Sequence, residues 1–202
     1  ILIHKNKIYV SYIKEHYKNC FSTSILSGKL NNSLINFEEF YSPNSCVNKN
    51  DKFFDSSRYD KMVVHQSGGR IIVVDNKLIF STGEYRLRTL AQDSKNDFGK
   101  IISIDLTNKE KKIISMGHRN PQGLYFSEDL NLFFSTEHGP NGGDEINLIN
   151  NELEEKQIQN FGWPISSYGR HYHDDNNDKD PRYKLSPLNK SHSKYGFREP
   201  LK

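Results

Sequence analysis

One hairpin is written three times along these 202 residues. The stretches NKIYVS from Asn6, NKLIFS from Asn76 and LNLFFS from Leu130 each place a short polar turn before an apolar run that ends in Ser. Each also follows another apolar run: ILIH at the start, RIIVVD from Arg70 and GLYFSED from Gly123. Two apolar runs across a polar turn read as an antiparallel hairpin. Further strands are predicted over GKIISIDL from Gly99 and KKIISMG from Lys111, with Asn, Asp, Gly and Lys turns between them. A recurring unit of short strands fits a β-propeller, whose blades carry about four strands each. A sandwich or barrel has the strands without the recurrence. At about 40 to 50 residues per blade the chain holds about four blades, fewer than an ordinary propeller closes with. The expectation is therefore an all-β fold, a single incomplete propeller domain over 1–202, read as a fragment of a longer protein.

Composition agrees. Only 34% of the residues are hydrophobic, but 11 Tyr and 12 Phe supply the aromatic side chains that half-buried strands favour. Lys and Arg number 28 against 25 acids and are scattered, so a nucleic-acid surface has no electrostatic footprint. No apolar run approaches the roughly 20 residues of a membrane span. Cys20 and Cys46 are the two cysteines. The segments Cys20 to Leu30 and Leu34 to Tyr41 can pair as a hairpin, and the two thiols either join in a disulfide or stay buried and free. NELEEKQIQ from Asn151 reads as a loop or a short helical turn. Residues 173–194 read as a polar surface insertion, in which DDNNDKD lacks the Gly and terminal Glu of an EF-hand.

Several chemistries are missing. There is no GxGxxG, Walker loop, HExxH or paired CxxC, and SGG at Ser67 does not open a nucleophile elbow. What remains are polar clusters beside strands: HQSGGR from His65, GHRNPQG from Gly117 and EHGPNGGDE from Glu137. The loops at one face of a propeller converge, so the three clusters can share one site. An imidazole takes a proton near neutral pH. A guanidinium steadies an oxyanion or carboxylate, and a Gly-Pro turn presents backbone carbonyls to a hard cation such as Ca²⁺.

The blocks GHRNPQGLYF, TEHGPNGGDEINLI and NFGWPISSYGRHY, with HQSGGRI and AQDSKNDFGKI upstream, closely resemble the soluble PQQ-dependent sugar dehydrogenases. This is the glucose/sorbosone dehydrogenase family, which includes the aldose sugar dehydrogenases. The resemblance runs in family order from about His65 to Tyr172, and residues 1–64 fit more loosely. It implies a six-bladed propeller that holds pyrroloquinoline quinone (PQQ) with Ca²⁺ across the channel mouth. By similarity His65 is the general base, while Arg119 and Asn120 contact the cofactor, Arg119 steadying charge on the quinone oxygen. The Gly139 and Pro140 carbonyls match the ligands of the cofactor-bound Ca²⁺. Glu145 and the backbone of Phe161, where the family usually has Tyr, match a second, structural Ca²⁺ site. Tyr172 is a looser match to a cofactor-contacting aromatic. His118 stands where the family more often has Leu. The family's Gln upstream of the base and its later PQQ-binding Lys and Arg have no counterpart, so these 202 residues alone are expected to bind PQQ weakly.

The resemblance thus implies PQQ- and calcium-dependent oxidation of aldose sugars or related hydroxyl compounds, with electrons passed to an external acceptor and a periplasmic or secreted location. The alternative is a recognition propeller of the hedgehog-interacting type that has lost the quinone chemistry. A calcium-dependent propeller lactonase would share the architecture but not these motif blocks.

Overall fold

The computed structural model describes residues 1–31, 34–51, 64–151, 158–172 and 184–201. It is built from strands and short 3-10 turns in three sheets. The first sheet joins β1 (Leu2–His4), β2 (Lys7–Tyr17), β3 (Cys20–Lys29) and β4 (Phe37–Tyr41) in sequence order, with β5 (Val47–Asn48) also paired to β3. The second runs β6 (Gly68–Val74), β7 (Lys77–Thr82), β8 (Lys100–Asp105) and β9 (Lys111–Met116). The third joins β10 (Pro121–Ser127), β11 (Leu132–Glu137) and β12 (Glu145–Asn150). Finally, β13 (Gln159–Asn160) returns from the third sheet to pair in parallel with β9.

The three recurring sequence units are the three hairpins β1–β2, β6–β7 and β10–β11, each antiparallel. Each sheet is a propeller blade. Blade arithmetic gives about four blades, whereas the described residues form three, because long connections such as 83–99 take up much of the chain. The segments around the two cysteines do pair, as β3 with β4. Cys20 and Cys46 are joined in a disulfide with Cα atoms 5.3 Å apart, which settles the choice between bridge and free thiols.

Alternation along the strands explains how the blades stack. In β7, Leu78 and Phe80 point to one face and Ile79 to the other, since successive side chains leave a strand on opposite sides. Leu78 and Phe80 join Ile102 and Ile104 of β8 against Tyr9 and Ile25 of the first sheet. Ile79 and Ile101 join Ile114 against Phe133 and Ile149 of the third sheet. The middle blade is thus buried on both faces, which is why NKLIFS reads as a continuous apolar run. A smaller cluster of Val47, Tyr85, Leu87 and Phe98 anchors the long 83–99 connection.

Two other expectations meet the structure only in part. Residues 152–157 of the Asn151 segment lie outside the described residues, and its last residue, Gln159, opens β13. Residues 173–183 of the polar tail, with the DDNNDKD stretch, also lie outside them, whereas Ser186, Leu188 and His192 farther along are buried. Among the described residues no helix is long and apolar enough to cross a membrane.

Phe133 is fully buried between two blades, whereas Tyr125 on the same hairpin is 66% exposed. Phe133→Ala should lower the unfolding free energy by about 3–5 kcal/mol in urea melts, with Tyr125→Ala costing well under about 1 kcal/mol. Equal costs would contradict the blade packing described here.

Candidate functional site

Arg119 is where the three polar clusters meet. It lies on the segment between β9 and β10 and its guanidinium is buried. Nη1 donates to the carbonyls of His138 (2.8 Å) and Gly139 (2.7 Å). With the Gln66 amide oriented to satisfy both its partners, Nη2 donates to Gln66 at 2.7 Å, and Gln66 in turn donates to the Glu84 carboxylate. The guanidinium carbon also lies 5.4 Å from the Trp163 ring centroid and 6.0 Å from that of Tyr172, within cation–π range. Burial lowers the Arg119 pKa and the nearby Glu84 carboxylate works against that shift.

These contacts place most of the residues singled out in the sequence. His65 is half-buried one residue before Gln66, the residue that meets the guanidinium. The Asn120 side-chain oxygen accepts from the Gly68 amide at 3.1 Å, tying the second cluster to the first. Gly139 contributes the carbonyl that Arg119 grips, and Tyr172 the outer aromatic ring. Pro140 is buried next to them, its carbonyl accepting from the Gly143 amide at 2.8 Å. Arg119, Asn120, Gly139, Pro140 and Tyr172 are therefore linked in one cluster, which the His65 segment joins through Gln66 and Gly68.

The glycines of EHGPNGGDE have a purpose that the sequence did not show. A Cβ on Gly139 would lie 1.6 Å from the Gly143 carbonyl oxygen, and one on Gly143 would lie 2.6 Å from the Gly169 amide. The turn folds tightly on itself and against the strand-like segment at Arg170, with which Asn141 exchanges backbone hydrogen bonds. Only residues without a Cβ allow that approach.

Beneath the site is a buried polar network centred on Glu137. Alternation along β11 turns Phe133, Ser135 and Glu137 to the same buried side. Glu137 Oε2 accepts from the amides of Arg119 (2.6 Å) and Asn120 (3.3 Å). Oε1 faces His118 Nδ1 at 2.9 Å and accepts from Asn147 Nδ2 at 2.7 Å. The His118 ring bonds Ser115 Oγ through Nε2 (2.8 Å) and stacks on Phe161. Lys100 plays the corresponding part under the 83–99 connection, donating to the carbonyls of Leu90, Ala91 and Phe98. Burial lowers its pKa to about 7.

Glu145 and Phe161 are not at this point. Glu145 opens β12, and the Phe161 carbonyl is bonded to His192 Nδ1 at 3.0 Å. His192 Nε2 faces Glu145 Oε1 at 3.5 Å, so an imidazole stands between the two.

The glucose/sorbosone dehydrogenase family matches the chain over residues 3–195. The chain belongs to that family. Over 120 residues this glucose/sorbosone dehydrogenase family member is 34% identical to the aldose sugar dehydrogenase YliI of Escherichia coli (strain K12), covering 52% of this chain and 30% of that protein. It is 32% identical over 130 residues to quinoprotein glucose dehydrogenase B of Acinetobacter calcoaceticus, covering 50% of this chain and 26% of that one. The fold is similar to a crystal structure of a glucose dehydrogenase (TM-score 0.71, 22% identity, 98% of this chain and 54% of that chain). It is also similar to apo soluble aldose sugar dehydrogenase from Escherichia coli (TM-score 0.62, 24% identity, 83% and 47%). The chain thus spans about half the length of these solved structures.

Glu137, Gln66, Glu84 and Trp163 are site residues that the motif reading passed over. Glu137→Ala would strand two amides, His118 and Asn147 together. Such a variant of the family member should lose about 3–5 kcal/mol of stability in urea melts, with Glu137→Gln, which keeps one acceptor oxygen, losing less. A loss below about 1 kcal/mol for the alanine variant would show that the carboxylate does not hold this network.

Proposed function

We propose that the full protein is a PQQ- and Ca²⁺-dependent oxidoreductase that oxidises aldose sugars or related hydroxyl compounds. The observation that supports this most strongly is the Arg119 cluster: one guanidinium joins the HQSGGR, RNPQG and EHGP segments beneath two aromatic rings. The donor set suits a planar, anionic cofactor. Tyr172 offers an exposed aromatic ring, and Arg119, backed by the buried Trp163 ring, offers positive charge within its reach. The Gly139 and Pro140 carbonyls each spend one lone pair on Arg119 or Gly143, and each keeps a second for a hard cation.

When bound, PQQ supplies a two-electron acceptor for the hydrogen leaving the substrate carbon, and Ca²⁺ supplies a Lewis acid and an orienting clamp. The chain's own part is positioning and proton movement. The imidazole of His65 accepts the proton of the substrate hydroxyl at a ring nitrogen. Arg119, already desolvated and held by two carbonyls, presents fixed positive charge where negative charge grows. Asn120, held through Gly68, fixes the distance between the His65 segment and the Arg119 segment. Glu137 keeps Arg119 and Asn120 in register by holding their backbone amides.

Electrons then pass to an external acceptor, and the family resemblance points to a periplasmic or secreted setting, in which the Cys20–Cys46 disulfide would persist. In the full-length protein, His65→Ala should lower kcat for aldose oxidation by roughly 10²- to 10⁴-fold, the usual contribution of a positioned base. Unchanged turnover in that variant, with PQQ and Ca²⁺ saturating, would overturn the assignment of His65.

A further inference from the structure

We propose that Gln66 is a positioning residue: its neutral amide stands between the Arg119 guanidinium and the Glu84 carboxylate, and so leaves the Arg119 charge available to an anionic ligand. This inference rests on the reading that the cluster holds the quinone, and it gives a part to a residue which that reading leaves unused. A guanidinium only donates and an ionised carboxylate only accepts. An amide that bridges them turns its oxygen to the first and its nitrogen to the second. Gln66 does both, with its oxygen 2.7 Å from Arg119 Nη2 and its nitrogen on Glu84 Oε1. Arg119 Nη1 is held by the carbonyls of His138 and Gly139, so three neutral oxygens grip the guanidinium.

What the amide prevents is a direct ion pair. Glu84 is fully buried and Arg119 only 8% exposed, and the Glu84 backbone amide donates to the Arg119 carbonyl at 3.0 Å. The Glu84 carboxylate is near enough to favour the charged form of Arg119. Opposite charges attract strongly away from water, and a closed pair would satisfy the cation from within the protein. With the amide between them, no carboxylate touches the guanidinium among the described residues.

The backbone shows how firmly the amide is placed. Gln66 has φ 60°, in the left-handed region that a residue with a side chain adopts at a cost. Tyr85 and Arg86, in the segment that meets it, have φ 54° and 65°. The Tyr85 amide donates to the Gln66 carbonyl at 3.1 Å, and a Cβ on Gly83 would lie 1.8 Å from that carbonyl oxygen. On the other side of Gln66, Thr23 Oγ1 donates to the Ser67 carbonyl at 2.7 Å and the Gly68 amide donates to Asn120 Oδ1. Strain of this kind persists where the surrounding structure over-determines it, and it gathers at functional sites. Glycine at 66 would carry no such cost. It would also lack the amide that joins Glu84 to Arg119.

The test compares full-length wild type, Gln66→Glu, and the double variant Gln66→Glu with Glu84→Gln, which exchanges the two groups. PQQ affinity is measured with Ca²⁺ and no sugar, and stability by urea melts. Gln66→Glu sets two carboxyls face to face, so it should lose stability and bind PQQ at least about tenfold more weakly. The double variant restores one amide beside one carboxylate and should regain wild-type stability. Its carboxylate now lies on Arg119, however, so its PQQ affinity should stay at least about tenfold down. A merely structural Gln66 would recover both, and wild-type PQQ affinity in the double variant would overturn the proposal. Should the double variant fail to fold, the pH profile of Gln66→Glu decides. A protonated Glu presents the same acceptor and donor as the amide, so its affinity relative to wild type should recover as pH falls, and a ratio independent of pH would count against the proposal. If wild type binds no PQQ, trimesate, a planar benzene tricarboxylate, takes its place. A rise in melting temperature with trimesate in wild type but not in the double variant would keep the proposal and drop the quinone reading. No response of wild type to either anion would overturn both.

Discussion

A single buried carboxylate, Glu137, holds the candidate site in shape. Its two oxygens meet two backbone amides, an imidazole and a side-chain amide, so the loop carrying Arg119 and Asn120 is tied to the last residue of β11. A carboxylate in such a place is costly to bury unless each lone pair is used, and once it is used the network resists change. The consequence for function is geometric. Arg119 can be gripped from outside by the His138 and Gly139 carbonyls because its backbone is fixed from beneath. The blade stacking serves the same end, since Phe133 and Ile149 press the third sheet, which carries Glu137, onto the second.

The site is therefore assembled from ends of strands and not from any one element. His65 and Gln66 precede β6, Glu84 follows β7, Arg119 and Asn120 precede β10, and Gly139 and Pro140 follow β11. Gln66, the residue after His65, links the carboxylate of Glu84 to the Arg119 guanidinium. Arg119 is thus the buried cation of the cluster, with the Glu84 side chain reached through Gln66 and the Glu137 side chain holding its backbone amide.

Much of this was legible in the sequence. The three hairpins follow from apolar runs across polar turns, and strand pairing depends on just that local pattern. That the HQSGGR, GHRNPQG and EHGPNGGDE segments meet could be read because motif blocks keep their residues in fixed order. Less legible was what depends on contact between distant segments. Glu137 looked like one acid of three in a turn, although its even spacing from Phe133 and Ser135 along β11 was the available signal of burial. The glycines at 139 and 143 answer to backbone packing that only the folded turn reveals. His192 gave no signal at all, since it sits in a polar tail and reaches Glu145 and Phe161 only through the third dimension. The described residues form three blades where even division of the length gives about four, since connections such as 83–99 are long.

The account's central claim is that the Arg119 cluster holds a quinone over the Gly139–Pro140 turn. Its most direct test is a titration of the full-length protein, first freed of metal, with PQQ in the presence and absence of Ca²⁺, followed by addition of aldoses while the quinone absorbance is recorded. The account predicts tight binding that needs both additions, bleaching of the quinone band by an aldose, and loss of binding when Arg119 is replaced by Ala. A folded protein that binds no PQQ under any of these conditions would contradict it, and would leave the cluster as the floor of a recognition propeller.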